Sequence, residues 1–556
     1  MNPPNFPAAD SPDSENRDGN IRAGKTRDGV SSQNKNADQE IRRVGQIGIY
    51  MLGSRILGLF RDILLAALFG ANGSSDALRA ALRIPVMLRD MLSEGALSAS
   101  FSPAYREQQR SADPQANQRF ASAAFSAVTT LSLITLALLY WQAEAVIDTI
   151  FPFKDLEQRE QAITGFRLLL PYLAIIPFIA IFRGLLHCHR RDPQTMRPQI
   201  LQNLALIASG VVLLLSTPDE LVRAQTWIWA FLGGAAIGVL LMARDVSKIA
   251  PIPRPTLHLR VPGQRRFLLD FGSLLISQVL VQSYSLLAFH LASGLGDGSL
   301  TCLEIAFRFH FFPIALIGVS SGIVAGDESA DLLSRGQRGQ LARMFTRNQR
   351  LTVFVGMVAA AGLMATSTPV IESLFVWGKF TTAAADETAP ILMWYCLAIP
   401  FATLNIGLQR TAITLGLRRA VLAVTFFGLA LQVGILLGGF FEITTGLIAQ
   451  SYGISALLSW LALQLLIRKS LSLPRLRWKQ GIKLLALSIL VHQGAFHLLN
   501  QMQILLPDFT GKDLLLLLGA VSFGILLTTW IGRILKIREV EQMWLVFNTA
   551  TGRIGR

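Results

Sequence analysis

The sequence predicts an all-α polytopic membrane protein, with fourteen transmembrane helices arranged as two six-helix bundles plus two C-terminal helices. Three observations carry this expectation. The 556 residues are 51% hydrophobic and 16% charged, with a mean hydropathy of +0.44, far more apolar surface than a globular core uses. The apolar residues fall in long blocks, most near the roughly 20 residues that cross a bilayer. Lys and Arg collect in alternate connections between those blocks, the positive-inside pattern.

Residues 1–43, rich in Asn, Asp, Ser, Gly and Pro, are expected to form a disordered cytoplasmic tail. No apolar core follows a basic start in the first thirty residues. No cleavable signal peptide is therefore expected, and the first span would direct its own insertion. Six blocks follow within 44–247: 45–69, 77–103, 119–142, 163–186, 197–216 and 223–244. The basic, proline-bearing stretch 248–266 reads as a cytoplasmic linker. Six more blocks fill 267–468: 267–293, 300–325, 348–375, 387–412, 419–440 and 445–467. The segment 469–556 adds 481–503 and 513–535 and a cytoplasmic end. Two related bundles with a substrate site between them are a common transporter plan.

Orientation follows from the connections. One set holds Arg106 and Arg110, Arg190 and Arg191, Arg254 to Arg266, Arg335 to Arg343, Arg418 and Arg419, and Lys469 to Lys479. The other, Gly70–Ser75, Thr217–Leu221, Gly294–Ser299 and Glu442–Gly446, is poor in Lys and Arg. The basic set should face the cytoplasm. Both termini then lie inside, and the protein is expected in a bacterial cytoplasmic (inner) membrane.

Several spans carry charge. SRILGLFRD, Ser54 to Asp62, sets Arg55, Arg61 and Asp62 inside an apolar run. Each charge at mid-membrane costs at least about 2.5–3.5 kcal/mol, so these should face protein or a wet cavity. In the second span Arg79, Arg83, Asp90 and Glu94 share a helical stripe of about 60°, with Arg89 flanking it. Pro85 removes a ladder donor there. The eighth span adds Glu304, Arg308 and His310 before Pro313, and Arg308 and Arg61 fall at similar depth. Arg79 and Arg83 could instead snorkel at an interface, and Glu304 could simply pair with Arg308 one turn away. Guanidinium forks suit phosphate because they bind it bidentately and remain charged.

Other chemistries lack their residues. The net charge of +15 is spread over loops between spans, which argues against nucleic acid. No phosphate-binding GxxxxGK[ST] loop, HExxH or nucleophile elbow occurs. Cys188, Cys302 and Cys396 are far apart, and His187-Cys188-His189 reads as part of a basic interfacial patch rather than a metal site. No cofactor, metal or catalytic residue is expected, and the protein is not expected to be an enzyme.

SRILGLFRD resembles the S-R-x-L-G-x-x-R-D of the MurJ (MviN) family of lipid II flippases, members of the MOP exporter superfamily. FGANGSSDAL (Phe69 to Leu78) is similar to the family's F-G-x-G-x-x-x-D-A-F. RIPVMLRDMLSEGALSASFSP (Arg83 to Pro103) is similar to its K-x-P-N-x-L-R-R-x-x-x-E-G-A-F-S-x-A-F-x-P. Weaker likenesses lie in Pro198 to Asn203, LASG (Leu291 to Gly294), FRFHFFP (Phe307 to Pro313) and LFVWGKFT (Leu374 to Thr381).

The resemblance implies two MOP-type bundles opening alternately to either side, with a groove for the lipid tail at the last two helices. The implied substrate is lipid II, an undecaprenyl pyrophosphate bearing the disaccharide-pentapeptide. It implies substrate-binding roles for Arg55, Arg61, Arg308 and Arg89, and gate or charge-partner roles for Asp76 and Glu94; the placement of charge adds Asp62 and Arg83 as further gate or charge-partner candidates. Membrane lipids, and cell-wall synthesis proteins, are the other partners it suggests. The chain departs from the pattern at Asp90 (usually arginine), Phe307 (usually within A-D-R), Asp327-Glu328 and Gly416–Leu422. These departures leave room for another polyprenyl-linked glycan, or for a MOP-type drug exporter, as the alternative.

Overall fold

The computed structural model describes residues 53–110, 113, 115–258, 260–439, 441–471, 478–505, 512–535, 537 and 540. Those residues form helices and connections without a strand. The tail expected over residues 1–43 lies outside them.

The first half comprises α1 (53–69), α2 (Gly73–Arg89), α3 (Leu97–Gln109), α4 (Ala116–Trp141), α5 (Ala143–Ile150), α6 (Leu156–Leu169), α7 (Tyr172–Cys188), α8 (Arg197–Ser216) and α9 (Glu220–Ser247). The second comprises α10 (Gln264–Ser293), α11 (Ser299–Pro313), α12 (Ser320–Ser334), α13 (Arg338–Ala365), α14 (Ser367–Phe375), α15 (Thr382–Cys396), α16 (Ile399–Thr414), α17 (Arg418–Leu437) and α18 (Thr445–Leu471). Two further helices follow, α19 (Trp478–Leu505) and α20 (Lys512–Ile534).

Among the described residues, nine helices are long and apolar enough to cross a membrane, or twelve if each bent pair counts as one span. The bent pairs are α6–α7 (45°), α13–α14 (64°) and α15–α16 (46°). These twelve coincide with the third to fourteenth expected blocks. Outside that count are α1, whose expected block begins beyond the described residues, and α2–α3, which carries the charged stripe.

Local chemistry sets the helix ends that matter here. Asn72 caps α2 by accepting the Ser75 N–H at 2.9 Å, which satisfies one of the donors left open at a helix start. Pro85 lies within α2, and a π-helical turn, Asp90–Ala96, joins α2 to α3. The second half repeats this: Pro313 closes α11, and a π-helical turn, Ile314–Val319, leads into α12. Such wide turns break the regular ladder and concentrate at functional sites.

Packing is helix on helix within each half. α8 and α9 are close neighbours because Gly234 and Gly238 abut the backbone of Gln202 and Pro198; small residues admit this approach. A continuous core with Phe101, Phe166, Tyr172 and Trp227 runs through the first half and into Phe289, Leu303 and Tyr395 of the second. α19 and α20 lie against α13 through Phe354, Leu487, Val491 and Ile531. Leu215, Trp141, Leu240 and Leu465 are exposed, as side chains facing lipid would be.

Candidate functional site

The charged side chains of α1, α2 and α11 meet in one array joining the two halves. α2 and α11 start at the same end of the molecule, where the connections are poor in Lys and Arg. Arg79 is the seventh residue of α2 and Glu304 the sixth of α11, so they reach equal depth. Arg79 Nη1 donates to Glu304 Oε2 at 2.9 Å. The other oxygen, Oε1, accepts from Arg308 Nη2 at 2.6 Å and Nε at 3.2 Å, one turn along α11. Arg308 Nη1 then donates to Asp62 Oδ2 of α1 at 2.8 Å. Asp62 Oδ1 accepts from Arg61 Nη2 at 2.8 Å and Nε at 3.0 Å, and Arg61 Nη1 reaches Asn203 Oδ1 of α8 at 3.1 Å.

The sequence of charges is thus Arg79, Glu304, Arg308, Asp62, Arg61: three cations alternating with two carboxylates. Each carboxylate bridges two arginines, which satisfies charges that would otherwise be costly in a low-dielectric interior. Side-chain exposure rises to 40% at Arg308, against 2% at Arg79, 11% at Glu304 and 8% at Asp62. The central arginine is therefore the most accessible of the array, with Arg61 next at 20%.

Arg83, one turn beyond Arg79, donates to Ser285 Oγ of α10 and lies with Cζ 4.3 Å from the Phe289 ring centre, a cation–π contact. Arg89 is taken by its neighbour Asp90, at 2.6 Å, and lies 3.5 Å from Gln202 Oε1. The acidic departure at Asp90 thus engages the adjacent arginine. Arg55 is half-buried on α1, about 9 Å of helix rise from Arg61. The side chains of Glu94 and Asp327 lie outside the described residues. Glu328 approaches Arg347 at 3.9 Å on an exposed surface. Phe307, the other departure, packs with His310, Tyr395 and Tyr452.

Asp76 lies one turn before Arg79 on α2, nearer the Arg-poor end. Its carboxylate accepts the backbone N–H groups of Gly298 (2.9 Å) and Thr301 (2.8 Å), and the Thr301 hydroxyl (2.6 Å). An acidic group from one half therefore caps α11 of the other, where the helix dipole favours negative charge. Around it the same end is closed by Lys379 N–H to Ala67 O (2.8 Å), Gln158 to Asp297 (2.6 Å) and the His290 ring to Ile150 O (3.1 Å). Gly298 (φ +84°) and Gly378 (φ +65°) come so near this seam that an added Cβ would lie 2.6 Å from Ala71 O and 2.5 Å from Ala67 O.

Arg79, Glu304 and Asn203 complete the array; the sequence singles out the first two as intramembrane charges, and the pairing of Glu304 with Arg308, but assigns none of the three a substrate or gate role. The available signal for the first two was opposite charge at equal depth in two spans running the same way. Asn203 had only its polarity within an apolar span.

Two helical halves meeting at a sealed end and a buried charge array define a transporter-type membrane fold. Solved structures share it. A structure titled "Lipid II flippase MurJ, inward closed conformation" superposes with a TM-score of 0.74 at 20% identity, covering 88% of this chain and 99% of that one. A multidrug-resistance MATE family transporter of the MOP superfamily, inward-facing, gives 0.62 at 16% identity over 75% of this chain and 95% of its own.

The family model "Lipid II flippase MurJ" matches residues 65–510, and the chain belongs to that family. The matched stretch holds α2 and α11 and begins just after Asp62. Similar proteins include the lipid II flippase MurJ of Burkholderia cenocepacia, 26% identical over 358 residues, 63% of this chain and 68% of that protein. The probable lipid II flippase MurJ of Rickettsia prowazekii is 24% identical over 441 residues, 79% of this chain and 85% of its own length.

Proposed function

We propose that the protein moves lipid II from the inner to the outer leaflet of the bacterial cytoplasmic membrane, by alternating access around the arginines of the central array. Family membership supports the substrate. The observation that carries the mechanism is Arg308, held by Asp62 of the first half and Glu304 of its own helix. An arginine at the junction of two bundles can bind a pyrophosphate bidentately, and its partners change as the bundles part.

In this reading the Arg-poor end faces outward and both termini face the cytoplasm, as loop charge argues. Residues 44–247 and 267–468 are the moving bundles, 248–266 links them, and α19–α20 hold the lipid tail. The contacts of Asp76, Ala67 and Gln158 keep the outer end shut while substrate enters from inside. Arg55, Arg61, Arg89 and Arg308 engage the pyrophosphate in turn, and Arg83, Asp62, Asp76 and Glu94 serve as gate or charge partners. The protein transports without making or breaking a covalent bond, so it is not an enzyme.

Purified protein in proteoliposomes tests the substrate. Fluorescent lipid II should become accessible to an external quencher faster than in empty vesicles, and a cationic MATE-type drug should not be carried. Drug transport without lipid II translocation would establish the drug-exporter alternative instead.

A further inference from the structure

We infer that Arg79 is the internal counter-ion that makes Arg308 releasable, so that the buried Arg79–Glu304 pair sets how readily Arg308 can be handed to a phosphate. This rests on the flippase reading of the same site. In the structure every donor position of Arg308 that faces the array is occupied by a carboxylate: Nε and Nη2 by Glu304, Nη1 by Asp62. A pyrophosphate must therefore displace them. Stranding a buried carboxylate without a cation is strongly unfavourable, so release depends on what the carboxylates keep.

The alternation answers this. With three arginines and two carboxylates, withdrawing the central arginine leaves two closed pairs, Arg79–Glu304 (2.9 Å) and Arg61–Asp62 (2.8 Å). Withdrawing either end arginine leaves a carboxylate that still needs Arg308. Arg79 has a further provision: its Nη2 is buried and, among the described residues, has no hydrogen-bond partner. When Arg308 turns away, this donor can complete a forked pair with Glu304, the geometry in which arginine and carboxylate bind best. The central arginine is also the most exposed of the five. Arg79 is thus a positioning residue that never touches the substrate. Without it, Arg308 would be the one arginine left hydrogen-bonded to Glu304.

The test measures binding of undecaprenyl pyrophosphate to the full-length protein in phosphatidylcholine nanodiscs. Arg79→Leu should weaken binding about tenfold, the loss of one charge-assisted bond's worth of release. Arg79→Leu/Glu304→Gln, which removes the competing carboxylate as well, should restore binding to wild-type strength or better with slower dissociation. A purely structural role for Arg79 would leave the double variant as weak as the single one. Arg308→Ala separates the two levels of the argument and should abolish binding. If it does so while Arg79→Leu binds like wild type, or while the double variant fails to recover, the counter-ion inference is overturned and the substrate reading stands. If Arg308→Ala binds the probe normally, the substrate reading itself is overturned. Should Arg79→Leu not fold, the double variant alone decides: binding weaker than wild type contradicts the inference.

Discussion

Asp76 and Thr301 are joined twice, through the Thr301 N–H at 2.8 Å and its hydroxyl at 2.6 Å, across 225 residues of chain and the seam between the two halves. The pair lies at the Arg-poor end, as does the backbone contact between Ala67 and Lys379. In the proposed transport cycle, release of the Asp76–Thr301 pair lets that end open.

Asp76→Ala removes the acceptor of three hydrogen bonds and a charge at a helix start. The expected cost to the closed state is about 2 kcal/mol, roughly a thirtyfold shift toward opening. Labelling of a cysteine placed at Ser74 by a membrane-impermeant maleimide should accelerate accordingly. Unchanged labelling would mean that Asp76 does not hold the seam.

Gly378→Ala meets two obstacles, a left-handed backbone at φ +65° and a Cβ only 2.5 Å from Ala67 O. A non-glycine residue in such a conformation costs about 1–3 kcal/mol, and the clash with Ala67 adds a cost that only the closed seam carries. The same labelling assay should show faster modification, with no loss of thermal stability on the scale of a core mutation.

Within the first half, Gly238 and Gly233 should behave oppositely. A Cβ at Gly238 would lie 2.4 Å from Pro198 Cα, whereas one at Gly233 meets nothing within 4 Å. Gly238→Ala should force α8 and α9 apart and cost about 1–3 kcal/mol, visible as a lower melting temperature in detergent. Gly233→Ala should leave it unchanged.

The contrast between those glycines shows where sequence reading stops. The run Gly233-Gly234-Ala235-Ala236 announces a close helix contact, but only the registry of α9 on α8 decides which glycine bears it. Hydropathy located the spans because a bilayer demands uninterrupted apolar length. It could not locate the bends at Pro171 and Ala398, where the chain stays apolar through the break, and the short polar run Thr366-Ser367-Thr368 at the α13–α14 bend does not interrupt its apolar block. Arg61, Asp62 and Arg308 were legible as costly charges at matching depth. Their connection through Asp62 and Glu304 depended on how α1 and α11 rotate toward each other, which periodicity within one helix does not contain. Asp76 entered only through the motif FGANGSSDAL, yet two of its three bonds are to backbone N–H groups at the start of a distant helix. No side-chain pattern encodes those.

Asp62→Asn tests the array as a charge system. Asp62 bridges Arg61 and Arg308 at 2.8 Å each, and neutralising it leaves two guanidinium groups facing one another. Removing one partner from a fully buried ion pair costs about 3–5 kcal/mol; with Arg308 40% exposed, solvent screening brings the expected cost to about 1–3 kcal/mol, so folding yield and melting temperature should fall. Asp62→Glu should recover part of both.

The central claim is that Arg308 and Arg61 carry the substrate's pyrophosphate. It is tested most directly by depleting the native protein and complementing with Arg55→Ala, Arg61→Ala or Arg308→Ala, while measuring lipid II exposed at the outer face. Membrane-inserted Arg61→Ala and Arg308→Ala should each accumulate lipid II on the inner leaflet and fail to sustain growth, as should Arg55→Ala. Normal growth and normal outer-leaflet lipid II with all three arginines replaced would contradict the account.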